Sequence, residues 1–80
     1  MNESTVAART RRVIADLLKV PLERVTDDAH FVQDLGMESI QQVELLAALE
    51  EEFDVEIDEE ETAQNVTVAM AVDYMEKLVA

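Results

Sequence analysis

Apolar residues along the chain fall in stretches with helical rather than alternating spacing. In the first, Val6, Val13, Ile14, Leu17 and Leu18 share a face, and Ser4 or Thr5 can cap a helix running to about Lys19. Val20-Pro21 ends it, because Pro disfavours helical geometry in the residue before it. Positions 20–37 have no helical period and read mostly as loop, with Leu22, Val25, Phe31 and Leu35 as apolar anchors that favour an ordered course. Gly36 closes the loop, and a second helix is expected from about Ser39 to Phe53. Asp58 can cap a single acidic turn near positions 59–63. Asn65 or Thr67 can then cap a last helix to about Val79, with Val68, Val72, Met75 and Val79 on one face and Met70, Tyr74 and Leu78 beside it. The expected fold is all-α: a single domain over 1–80, a small bundle of three principal helices plus one short helix, with a long ordered loop between the first two.

The second helix carries two apolar stripes. At about 100° per residue, Leu45, Leu46, Leu49 and Phe53 share one sector, an ordinary core face. Ile40, Val43 and Ala47 fall on another, flanked by Ser39 and Glu50 on one side and by Glu44 and Glu51 on the other. Either the helix is central and buries both stripes, or the second is an apolar docking strip with a charged rim.

Composition narrows the possibilities. Of 80 residues 49% are hydrophobic, with one Gly and one Pro, so a lean core is possible and an acidic disordered tail is not the expectation. The 19 acids against 6 bases give a net charge of −13, which opposes binding to nucleic acid or anionic membrane. No apolar run is long enough to span a membrane, and no signal-peptide pattern is visible, so the cytoplasm is the default location; a monomer is expected. The absence of Cys excludes disulfides, thiolate metal sites and Cys nucleophiles. The charge is uneven: positions 1–24 net +2, and positions 25–80 net −15. That acidic region is either a solvated face or a docking surface for a basic partner.

Ser39 stands at a helix start, three residues after the only Gly. Free backbone N–H groups and the positive end of the helix dipole converge there and favour a phosphate ester on its oxygen. Gly36 leaves room for an approaching group. Ser39 as a plain N-cap is the competing reading. No His, Lys or Asp stands in an evident base relation to Ser39, so no catalytic residue is assigned.

The segment Asp34-Leu35-Gly36-Met37-Glu38-Ser39-Ile40-Gln41-Gln42-Val43-Glu44-Leu45 resembles the modification-site segment of acyl carrier proteins. The resemblance extends along nearly the whole chain, through Val20-Pro21, Phe31, Leu49-Glu50-Glu51-Glu52-Phe53, Asp58-Glu59-Glu60 and Thr67-Val68 to Val72-Asp73-Tyr74. It implies a non-enzymatic carrier with 4'-phosphopantetheine, taken from coenzyme A by a phosphopantetheinyl transferase, attached at Ser39 beside Gly36 and Glu38. The arm ends in a thiol, which would supply thioester chemistry to a protein with no Cys. The resemblance places partner recognition on Glu38, Ile40, Val43, Glu44, Ala47, Glu50 and Glu51. It places an acyl-chain cavity at Phe31, Leu45, Leu46 and the last helix. Partners would be acyl-loading and acyl-processing enzymes of fatty acid, polyketide or related biosynthesis. Glu38 stands where the family usually has Asp, and Ile40 where it has Leu or Met, which points as readily to a specialised carrier as to a housekeeping one.

Other features change this picture little. Asp54, Glu56, Asp58 and Glu60 alternate like a calcium loop, but Glu59 stands where the turn needs Gly, and no metal site is expected. His30 is expected to pack near Phe31, and Arg9, Arg11 and Arg12 to form a solvated face or to pair with acids elsewhere. The alternatives to a carrier are an acidic helical interaction module, such as a nucleic-acid mimic, and a small calcium sensor. Because the acidity is concentrated in one region, added salt should raise the melting temperature by screening self-repulsion. A thermal melt series in sodium chloride that shows an unchanged or lower midpoint contradicts this.

Overall fold

The computed structural model describes residues 5–80. Four α-helices follow in order: α1 (Val6–Leu18), α2 (Ser39–Phe53), α3 (Glu59–Thr62) and α4 (Val68–Leu78). Three are long and one is a single turn, as expected. A 3-10 turn at Leu22–Arg24 interrupts the long loop. Among the described residues there is no β-strand, only an isolated bridge between His30 and Thr67. No described helix is long and apolar enough to cross a membrane.

Local chemistry sets each helix end. The Thr5 hydroxyl caps α1 by accepting from the Ala8 N–H (3.1 Å); Ser4 lies outside the described residues. Asp58 caps α3 through the N–H groups of Glu60 (2.8 Å) and Glu61 (3.3 Å). Thr67, not Asn65, caps α4 through the Met70 N–H (3.3 Å). α1 and α2 both end on a left-handed residue, Lys19 (φ 58°) and Asp54 (φ 55°). The next N–H in each case bonds back five residues, Val20 to the Ala15 carbonyl and Val55 to the Glu50 carbonyl. α1 therefore stops before Pro21 acts on it.

α1 is the central packing element. Its most extensive backbone contacts are with α4 and α2. Ile14, Ala15 and Leu18 are buried, while Val6, Val13 and Leu17 pack half-buried at the edge. Val68, Val72 and Met75 form the buried face of α4 with Ala71, while Met70 and Leu78 remain exposed. Complete burial of Ile14, Met75 and Val68 stabilises the fold by about 1.5–3 kcal/mol each. The loop contributes Val25, Ala29, Phe31 and Leu35 to the core. Leu22 is not an anchor: it is 50% exposed, because the chain leaves the 3-10 path at Val25 (φ −88°, ψ 70°) and only Val25 turns inward.

Two arginines on α1 are not merely solvated. Arg9 donates to the Glu52 carboxylate (2.9 Å) and to the Glu52 carbonyl (2.7 Å), and its guanidinium lies 4.4 Å from the Phe53 ring centre. Arg11 pairs with Asp27. These contacts tie α1 to the end of α2 and to the loop.

Thr10 is fully buried, and its hydroxyl has no hydrogen-bond partner. A buried orphan hydroxyl costs about 1–3 kcal/mol. Thr10→Val, nearly equal in shape, should therefore stabilise the protein by about 1 kcal/mol in urea unfolding. A destabilised variant would show that the hydroxyl is satisfied.

Candidate functional site

The segment before α2 is held rigidly by its own backbone. The His30 carbonyl accepts from Asp34 N–H (2.9 Å) and Leu35 N–H (3.0 Å). Val32 accepts from Gly36 (3.1 Å), and Phe31 from Met37 (2.8 Å). The Asp34 carboxylate accepts from His30 N–H (2.7 Å), and the Arg24 guanidinium donates to the Asp34 carbonyl (2.8 Å). Phe31 N–H reaches the Val66 carbonyl (3.0 Å), which ties the loop to the residues before α4. His30 therefore acts through its backbone, beside Phe31. Among the described residues no group of three His, Asp or Glu side chains is placed to hold a metal ion.

Gly36 turns the chain into α2 with φ +71°, a conformation that costs an L side chain about 1–2 kcal/mol. Nothing stands within 4 Å of where its Cβ would be. Glu38 is the N-cap, and its N–H donates to the Gln41 side-chain oxygen (2.9 Å). Ser39 is thus the first helical residue and not the cap. Its exposed hydroxyl has no hydrogen-bond partner among the described residues. The first helical bond runs from Gln42 N–H to the Glu38 carbonyl (3.1 Å), so the Ser39 and Ile40 N–H groups lack helical acceptors.

α2 buries only one of its stripes. Leu45 and Leu49 are in the core, Phe53 packs half-buried against it, and Leu46 is half-buried. Ile40 is 64% and Val43 54% exposed, and Ala47, Glu44 and Glu51 stand exposed beside them. Glu50 differs. It is half-buried, and its carboxylate accepts the Ile57 N–H (2.8 Å), pinning the link that follows α2.

Two hollows meet near Ser39. A shallow one of about 400 Å³ is lined by Val32, Met37, Glu38, Ser39 and Gln42. A partly open, mostly apolar cavity of about 30 Å³ lies between α2 and α4, lined by Phe31, Leu45, Leu46, Ala71, Tyr74 and Met75. Met37 and Gln42 border both. The Tyr74 hydroxyl bonds the Glu61 carboxylate (3.0 Å) and accepts from Asp58 N–H (3.3 Å), so it fastens α3 over this cavity. Partial burial pushes the Tyr74 pKa up, the Asp58 N–H opposes that, and the Glu61 carboxylate adds to it. The cavity has room for no more than about two water-sized molecules, so a larger guest requires its walls to part.

A family model for the phosphopantetheine attachment site matches residues 8–75. The chain belongs to that family, whose members include the acyl carrier proteins. The carrier's residues fit the prosthetic group of its family: Ser39 offers a free hydroxyl, Gly36 an uncrowded backbone, and the start of α2 two N–H groups without helical acceptors for a phosphodiester. Sequence reasoning missed Gln42 at the cavity rim. The signal was available, since Gln42 precedes Leu45 and Leu49 on the core-facing side of the helical wheel.

Because Gly36 is strained for any other residue but uncrowded, Gly36→Ala should cost about 1 kcal/mol in denaturant unfolding without a steric clash. An unchanged midpoint would show that the turn tolerates a side chain.

Proposed function

We propose that this chain is an acyl carrier whose Ser39 bears 4'-phosphopantetheine, transferred from coenzyme A by a phosphopantetheinyl transferase. The group, once attached, supplies a terminal thiol on which acyl intermediates ride as thioesters. The chain itself catalyses nothing; it presents Ser39, steers partners and shelters cargo. It serves acyl-loading and acyl-processing enzymes of fatty acid, polyketide or related biosynthesis, as a monomer in the cytoplasm. The observation that carries this reading is the free hydroxyl of Ser39 at the first turn of α2 in a chain of this family.

The surroundings of Ser39 support the division of labour. The Ser39 and Ile40 N–H groups and the α2 dipole stabilise negative charge on the Ser39 oxygen's substituent. Glu38 adds a like charge beside it, which the exposed position leaves well screened. Ile40, Val43 and Ala47 provide the apolar centre of a docking strip, and Glu44 and Glu51 provide its charged rim. Glu50 is committed to Ile57, so it acts in docking mainly by holding the chain after α2 in place. Phe31, Leu45 and Leu46 provide the apolar side of a space into which cargo can fold.

Incubation with coenzyme A and a broad-specificity transferase, followed by intact mass, tests the reading. The wild-type chain should gain one phosphopantetheine and Ser39→Ala none; no adduct, or one that survives Ser39→Ala, refutes it. In the same assay Glu44→Lys should slow loading severalfold at low salt and much less at high salt.

A further inference from the structure

Between α1 and α2 runs an open cleft of about 450 Å³, lined by Val13, Asp16, Leu17, Ala48, Glu51 and Glu52. It shares no residue with the cavity between α2 and α4 or with the hollow at Ser39. Val13, Leu17 and Ala48 are half-buried and make an apolar floor, while Asp16, Glu51 and Glu52 stand exposed along the edges. Glu52 is already paired with Arg9. Asp16 and Glu51 have neither an ion pair nor a hydrogen bond among the described residues.

The chemistry of the cleft selects its occupant. A second copy of a chain with net charge −13 would be repelled from it. The described carboxylates are not grouped to hold a metal ion. An apolar floor between unpaired carboxylates suits a helix with aliphatic residues on one side and Lys or Arg beside them. The long cationic side chains lay their stems along the floor and bring their heads to Asp16 and Glu51. Glu51 also borders the exposed stripe of α2, so the cleft continues that surface onto α1.

We propose that the α1–α2 cleft is a second docking groove, which seats a basic amphipathic helix of a partner protein. It extends partner recognition from α2 to α1 and does not depend on Ser39 being modified. A partner that covers both surfaces reads the relative placement of two helices as well as the sequence of one.

The test is an NMR titration of the whole chain with a synthetic helical peptide bearing Leu on one face and Lys on the other. Amide shifts should concentrate at Val13, Asp16, Leu17, Ala48 and Glu51. The double variant Asp16→Asn, Glu51→Gln should bind about fivefold more weakly at low salt, with the gap closing at high salt. Both positions are exposed, so an unchanged circular dichroism melt shows that the variant is folded. Ser39→Ala should bind as the wild type does, which separates failure of this groove from failure of the carrier reading. Shifts centred on Ile40 and Val43, shifts spread over every acidic position, or an affinity indifferent to the double variant overturn the proposal.

Discussion

Helix α2 is gripped along one side only. Leu45 and Leu49 sit in the core that α1 and α4 complete, and nothing in the fold covers Ile40, Val43 or Ala47. This follows from the packing order. α1 approaches both α2 and α4 closely, so the core closes around α1, and the outer half of α2 has no neighbour. A helix packed on every side would have hidden the strip beside Ser39. One-sided packing leaves a rod with a buried root and an open face, which suits the docking role proposed for it.

The loop before α2 gives that rod a defined beginning. The N–H groups of Asp34, Leu35, Gly36 and Met37 bond back to the carbonyls of His30, Val32 and Phe31, and Phe31 and Leu35 bolt the loop to the core. Gly36 then makes the one turn that a side chain would strain. With Glu38 and Gln41 joined across the first turn, capping is accomplished without Ser39. The hydroxyl that would otherwise have been used as a cap is left free. A change of cap residue by one position thus separates an ordinary structural serine from an available nucleophilic oxygen.

Charge works at two levels. The acids from position 25 onward make the surface repulsive to polyanions and to itself, and attractive to cations. Within that field the acids have unequal jobs. Glu50, Asp58 and Asp34 accept backbone N–H groups, and Glu52 pairs with Arg9. Glu44, Glu51 and Asp16 have no such partner and remain for solvent or for another molecule. Counting carboxylates cannot distinguish these groups, because the difference lies in which backbone donors the fold brings within reach.

Much of the fold was legible in the sequence. Helical periodicity located the three long helices, the Asp58 turn followed from its cap, and two stripes on one helix already implied either double burial or an open face. The Ser39 segment was legible as a family pattern. Local spacing determines these features, so local reasoning recovers them. Several outcomes needed the tertiary structure. Leu22 is as apolar as Val25 yet points away from the core, because the backbone direction after a 3-10 turn decides it. Arg9 and Arg11 look like a solvated row until Glu52, Phe53 and Asp27 arrive from elsewhere in the chain. The sequence by itself determined that an apolar strip rimmed by acids begins at a serine. Only the tertiary structure decided that the strip is uncovered, that the serine is not its helix's cap, and that Glu50 is turned to Ile57, because burial and hydrogen bonding depend on neighbours far apart along the chain.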